Sequence, residues 1–281
     1  MTILLTGATG TVGRAVLRQL LDAGEPVRAL TRDPARAAAL LPGGVELVAG
    51  DLGDPGGLPA ALDGVDRVFL LSVGPRKAEH DANLAQAAAK AGVTRLVALS
   101  SLAAEEDPDC VLGRWHADGE RAVRDAGPPW TIVRPGGFMS NALEWAVSVR
   151  DAGVVRAPFG DLRASIVDPR DIAAVVVAAL AGGHDGAVLP LSGPAAISPA
   201  EQVAVLGEVL DRPVRFEELS LDEARAAMAR RVPASVVDAV LSARAAAGPF
   251  RARVLPTVRD VTGRAPRSFR QWAEDHVDSF R

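Results

Sequence analysis

The stretch Thr6-Gly7-Ala8-Thr9-Gly10-Thr11-Val12-Gly13 constrains this chain more than any other. It follows the apolar run Ile3-Leu4-Leu5 and precedes an amphipathic run over residues 14–21. A strand, a glycine turn and a helix are therefore expected in quick succession. Glycines let the backbone approach a pyrophosphate closely, and the helix N-terminus behind them offers unpaired N–H groups at the positive end of a dipole. The spacing is G-x-x-G-x-x-G, not the G-x-G-x-x-G of the general dinucleotide fingerprint. A turn that binds nothing would carry the same glycines. The strand before them and the helix behind them favour a nucleotide.

The rest of the chain keeps that rhythm. Strands are expected at 26–30, 45–49, 67–71, 96–99 and 130–134, with helices near 35–40, 55–62, 79–91 and 112–126 between them. Asp33-Pro34 reads as an N-cap with proline at the first helical position. This alternation predicts an α/β fold: a Rossmann-like, doubly wound parallel sheet with a smaller, mainly helical C-terminal substrate lobe. Beyond Phe138 the pattern changes to a helix at 141–150, a loop and short-strand region at 154–166, an apolar helix at 171–181 and a last sheet strand at 187–191. Helices at 199–210, 221–230, 234–247 and 269–280 complete the chain. The expected division is a dinucleotide-binding domain over 1–137, to which 165–192 returns, and a substrate-side lobe from 138–164 and 193–281.

Composition excludes several classes of function. A net charge of −4 leaves no basic footprint, so nucleic acid is not an expected partner. Cys110 is the single cysteine, and His80, His116, His184 and His276 are scattered, so no metal site is expected. Lys77 and Lys90 are the only lysines in an arginine-rich chain, which reads as a GC-rich coding bias. The longest apolar run, 172–181, is too short to cross a bilayer. A strand at the very start leaves no room for a signal peptide, so a cytoplasmic monomer or homodimer is expected.

The second strand ends Leu30-Thr31-Arg32, without the acidic residue that accepts the ribose hydroxyls of NAD. The Arg32 guanidinium suits a 2′-phosphate, which a carboxylate would repel, so NADP(H) is the expected cofactor. A solvated surface arginine is the alternative. Asp51, in Gly50-Asp51-Leu52 after the third strand, suits the adenine amino group or merely caps the next turn. Ser72-Val73-Gly74, after the fourth strand, would lie beside the nicotinamide-side ribose.

These segments, with Ser100-Ser101 and Thr131-Ile132-Val133-Arg134-Pro135-Gly136, occur in an order that resembles the atypical short-chain dehydrogenase/reductases, in particular the NmrA-like branch with its NAD(P)H:quinone reductases and redox-sensing regulators. The resemblance is strong over residues 1–140. It is looser to the end, where Val261-Thr262-Gly263-Arg264-Ala265-Pro266 precedes the last helix. It implies NADP(H) contacts from Gly7, Gly10, Gly13, Arg32 and the Ser72-Val73-Gly74 turn; Thr9, Thr11, Val12, Asp51, Leu52 and Pro135, on the same loop and strand ends, complete the expected cofactor set. Short-chain dehydrogenases that reduce carbonyls use a Tyr-x-x-x-Lys pair, and this chain has no tyrosine. The matching region reads His116-Ala117-Asp118-Gly119-Glu120, a His-x-x-x-Glu pattern also found in quinone-reductase-like members.

On a helix, His116 and Glu120 share a face and are within hydrogen-bonding reach. His116 is then a proton donor held charged by Glu120, a contact to the nicotinamide ribose, or a packing residue. Ser101 or Ser100 would meet a substrate oxygen or cap the turn after the fifth strand. Phe138, Met139, Trp145 and Phe159, with Trp115 nearby, would wall an apolar or aromatic small-molecule substrate, or pack the lobe on the sheet. A quinone or similar conjugated acceptor needs little acid catalysis, which suits a site without tyrosine. The expected function is an NADPH-dependent reductase of such acceptors. The alternatives are a non-catalytic NADP(H) sensor of the NmrA type and a specialised natural-product reductase.

Overall fold

A computed structural model describes residues 1–230, 233–245 and 252–281. The elements in chain order begin β1 (Thr2–Thr6), α1 (Thr11–Asp22), β2 (Val27–Thr31), α2 (Pro34–Leu40), β3 (Glu46–Ala49), α3 (Leu58–Ala61) and β4 (Val65–Leu70). Next come α4 (Lys77–Lys90), β5 (Arg95–Leu99), α5 (Ala103–Glu106), α6 (Val111–Asp125) and β6 (Trp130–Pro135). After them a 3₁₀ segment (Met139–Trp145) leads to α7 (Ala146–Ala152), β7 (Val154–Ala157), α8 (Pro169–Ala181), β8 (Val188–Leu191), α9 (Pro199–Val209) and β9 (Arg215–Glu218). The last helices are α10 (Leu221–Met228), α11 (Ala234–Ala245), α12 (Thr257–Thr262) and α13 (Phe269–Asp275).

Seven parallel strands form the main sheet in the order β3-β2-β1-β4-β5-β6-β8. The chain reverses direction of travel between β1 and β4, and the crevice beyond the carboxyl ends of those strands is where such sheets bind ligands. Alternate side chains feed two cores. Ile3 and Leu5 pack with Val16, Leu17, Ile172 and Val176 on one face, while Leu4 packs with Leu58, Leu84, Ala88 and Val123 on the other. Both faces are covered, so the central strands read as apolar runs.

A third cluster, built by Met139, Val149, Val155, Leu206, Phe269 and Trp272, lies under the 3₁₀ segment, α7, α9 and α13. The C-terminal region is largely helical, but it also contains a two-stranded parallel sheet of β7 and β9. β9 was not expected from the sequence: Arg-Phe-Glu-Glu is four residues long and only half-buried. The helix expected at 141–150 is 3₁₀ over Met139–Trp145 and α-helical only from Ala146. The helix expected over 269–280 closes at Asp275, and a short 3₁₀ turn, Val277–Ser279, follows. Residues 246–247 of the expected helix at 234–247 lie outside the described residues. Among the described residues no helix is long and apolar enough to cross a membrane.

Candidate active site

The loop after β1 is bare backbone by necessity. Gly7 has φ +66°, a left-handed value that favours glycine. A Cβ on Gly13 would lie 2.0 Å from the Gly7 carbonyl oxygen, so α1 passes directly over the turn. The Gly10 N–H donates to Gly7 O at 3.0 Å and closes it. Thr9, Gly10 and Thr11 face solvent.

α1 has no side-chain cap, whereas Asp33, Asp168, Ser198, Ser220 and Ser268 cap the helices that follow them. A cap contributes about 1 kcal/mol. Val16, Leu17 and Leu20, all at most 1% exposed, contribute about 1.5–3 kcal/mol each by burial. Packing therefore holds α1 with its first N–H groups free, the arrangement that a pyrophosphate requires.

The neighbouring strand ends divide the work. Arg32, after β2, is exposed and makes no hydrogen bond or ion pair among the described residues, while Asp33 beside it accepts from Arg36 N at 2.9 Å as the α2 cap. Asp51, after β3, is exposed and accepts from Gly53 N at 2.8 Å, so the turn-capping alternative is realised with one of its oxygens. Leu52 O accepts from Asn83 Nδ2 at 2.8 Å, which ties that turn to α4.

At the β1–β4 switch point the Thr6 hydroxyl donates to Leu71 O (2.9 Å) and accepts from Leu71 N (2.7 Å). Beyond it Val73, an apolar residue just past the carboxyl end of β4, is 74% exposed. Ser72 is buried, and its hydroxyl donates to Asp81 Oδ1 at 2.5 Å.

The ends of β5 and β6 are charged inside. Arg134 grips Glu120 bidentately (Nε–Oε1 2.7 Å, Nη2–Oε2 2.6 Å) and reaches Glu105 at 3.1 Å. Glu120 also accepts from the Ser100 hydroxyl (2.6 Å) and from Arg124 (2.9 Å). Burial pushes the Glu120 carboxyl up, but the hydrogen bonds from Arg134 and Ser100 and the nearby cations outweigh it and leave it below its usual range.

This network corrects the expected His116–Glu120 partnership. Glu120 is held by two guanidiniums and a hydroxyl. The Nδ1 of His116 is buried with no hydrogen-bond partner. Burial, then the Lys77 charge, push His116 down to about 3 against a weaker upward pull from Glu120. The imidazole is neutral near pH 7, not an imidazolium. Ser101 Oγ accepts from Ala103 N at 3.2 Å, the capping alternative, and Pro135 O accepts from Leu102 N at 3.0 Å.

The apolar residues expected along a substrate wall are spread over several clusters. Phe138 packs against the sheet core, Met139 and Trp145 against the third cluster, and Phe159 (φ +61°) against Ala224, Val237 and Leu241. Met139 is 1% exposed, while Trp115 is half-buried on α6. A concavity of about 410 Å³ bounded by Gly207, Asp211 and Arg212 lies beyond the end of α9 and involves none of these groups. Sequence reasoning did not find the Lys77–Asp81 pair, buried behind Ser72. The one available signal was that lysine is so rare here.

An uncapped glycine cradle at the switch point of a doubly wound sheet defines a dinucleotide-binding protein. A family profile described as NAD(P)H-binding matches residues 7–182, and the chain belongs to that family. Within it the chain is an NmrA-like member of the atypical short-chain dehydrogenase/reductases.

Two curated relatives match almost end to end. One is the (4-alkanoyl-5-oxo-2,5-dihydrofuran-3-yl)methyl phosphate reductase of Streptomyces griseus, 50% identical over 281 residues and covering 99% of each chain. The other is the NAD(P)H azoreductase of Xenophilus azovorans, 42% identical over 282 residues and likewise covering 99% of each. The NADPH complex of the quinone oxidoreductase QOR2 from Escherichia coli superposes with a TM-score of 0.85 at 27% identity, covering 99% of this chain and all of that one.

Proposed function

We propose that this protein is an NADPH-dependent reductase that delivers hydride to an electron-poor, conjugated double bond of a small molecule. The observation that carries this reading is the state of the acid groups at the strand ends. There is no tyrosine, His116 is neutral, and the Ser100 hydroxyl is committed to Glu120. A plain ketone needs its oxygen protonated as hydride arrives, and such a site has no ready acid for it. A conjugated acceptor spreads the incoming charge itself, so alignment supplies most of the rate enhancement.

The named substrates of the relatives share that property. A 4-alkanoyl-5-oxo-2,5-dihydrofuran has, by its nomenclature, a ring C=C flanked by a ketone and a lactone carbonyl. Azo compounds and quinones are likewise polarised π systems. The 50% identity over the full length favours a doubly activated C=C of the first kind.

Reduced nicotinamide supplies the hydride when bound. This chain's residues bind and orient. Free N–H groups from Thr11 to Gly13 take the pyrophosphate, and Gly7, Thr9 and Gly10 form the turn over it. Arg32 pairs with the 2′-phosphate. Asp51 and Leu52 border the adenine, and Ser72, Val73, Gly74 and Pro135 border the nicotinamide half. His116 offers a neutral N–H to a ribose or acceptor oxygen, and Ser101 lies just beyond the end of β5. Phe138 and Trp115 are left to shield the acceptor, since Met139, Trp145 and Phe159 are packed into clusters of their own.

The test is NADPH oxidation, followed by absorbance, over a panel holding an acyl-butenolide phosphate, an azo dye, a benzoquinone and an unconjugated ketone. Turnover of conjugated members but not of the plain ketone is the expected result. NADPH binding without oxidation on any member would overturn the reading in favour of a sensor.

A further inference from the structure

Lys77 opens α4 and is 1% exposed, as is its partner Asp81 one turn along. The Nζ of Lys77 lies 2.8 Å from Asp81 Oδ2, 3.0 Å from Leu99 O at the end of β5 and 3.5 Å from the hydroxyl and carbonyl of Ser72 at the end of β4. The other Asp81 oxygen accepts from the Ser72 hydroxyl at 2.5 Å. Gly119 on α6 makes room for the pair: a Cβ there would lie 2.5 Å from Asp81 Oδ2 and 3.2 Å from Lys77 Cε. His116, one turn earlier on α6, feels the ammonium charge.

Stability alone is a poor account of this cluster. Burying two ions costs several kcal/mol each before their attraction is counted, and a well-packed apolar pair is often as stable or more so. An ammonium at the N-terminus of a helix also opposes the helix dipole. The pair does achieve one thing that an apolar pair would not: it joins the loop after β4 to the last carbonyl of β5 through directional bonds. In a chain with 31 Lys and Arg residues, of which only Lys77 and Lys90 are lysines, the compact ammonium stands where four acceptor atoms converge.

The geometry points to Lys77 and Asp81 as positioning residues that, through Ser72 and Leu99 O, hold the 71–74 loop in the shape that receives the nicotinamide half of the cofactor. This rests on the placement of that half beyond β4 under the proposed function, but not on which acceptor is reduced. Neither residue touches substrate; they act through the loop.

The experiment compares K77M/D81L, which removes both charges at once, with the wild-type protein. It measures thermal unfolding and the affinities for NADPH and for 2′,5′-ADP, which carries the adenosine half alone. The expected result is a folded variant whose NADPH affinity falls roughly tenfold while its affinity for 2′,5′-ADP stays within about twofold. Where an acceptor is turned over, kcat falls with little change in acceptor KM. Unchanged NADPH affinity, or an equal loss for both nucleotides, overturns the inference. S72A keeps the ion pair and removes the hydroxyl that joins it to the loop, leaving only the 3.5 Å contact of Lys77 Nζ with the Ser72 carbonyl; it decides the matter if the double variant does not fold. A several-fold loss selective for NADPH supports the inference, and no loss overturns it. Because binding is read without an acceptor, failure of the proposed reaction would leave this result standing.

Discussion

With the cofactor placed as proposed above, the two halves of the crevice are built on opposite principles. On the adenine side the groups are exposed and uncommitted: Arg32 has no partner among the described residues, Asp51 spends one oxygen on a turn, and the first turn of α1 is uncapped. On the nicotinamide side two charged pairs are enclosed and engaged, Lys77 with Asp81 and Arg134 with Glu120. The first half waits for a ligand's charge to complete it. The second is complete beforehand, as a site must be where hydride transfer tolerates errors of only a fraction of an ångström. Affinity resides mainly in the open half and geometry in the closed one.

The sharpest way to break this division is at the cradle itself. In G13V the new side chain meets the Gly7 carbonyl, which is backbone and has nowhere to go. NADPH affinity measured by fluorescence should fall roughly 100-fold, with a clear loss of thermal stability, because overpacking costs about 1–3 kcal/mol. Next comes the closed half. Removing the Glu120 carboxylate in E120A leaves the Arg134 guanidinium with Glu105 as its one remaining carboxylate among the described residues and should cost about 3 kcal/mol by urea unfolding. Glu120 sits below its ordinary value in the folded protein. Its contribution to stability is therefore present above the unfolded carboxylate value and lost as pH falls through the folded one. The wild-type advantage over E120Q should shrink in that acid window and not in the alkaline range.

A milder effect is expected on the open side. R32A should weaken NADPH binding roughly 10-fold, the worth of a charged hydrogen bond, and leave NADH affinity and unfolding unchanged. The smallest effect separates the readings of His116. With the imidazole pushed down to about 3, the kcat profile should carry no His116 inflection between about pH 5 and 8. H116Q should lower kcat by about tenfold or less, without changing the profile's shape.

What was legible in the sequence follows the same division. The glycine loop, the buried parallel strands and the Asp33 cap depend on near neighbours, so local pattern reveals them. The closed half depends on partners far along the chain. His116 and Glu120 are correctly placed one helical turn apart, but the contest for Glu120 is decided by Arg134, which arrives from β6 with two parallel bonds and a permanent charge. No spacing rule announces that competitor. Lys77 was visible only as a rare letter, because the acceptors that explain it come from the ends of two different strands. β9 escaped for a related reason: a half-buried Arg-Phe-Glu-Glu becomes a strand only when β7 is beside it.

The Thr6 hydroxyl has a consequence for how such a protein acquires new substrates. By donating to and accepting from the same residue, Leu71, it extends the β1–β4 pairing one rung past the last strand residue. The β1–β4 switch point, where the cofactor is proposed to lie, is thus latched, and widening it would break two hydrogen bonds at once. Variation that preserves reduction is left to the parts not fastened by that latch: the 3₁₀ segment and the turn around Phe159. Exchanging residues there should change which molecules are reduced while leaving the nucleotide preference unaltered.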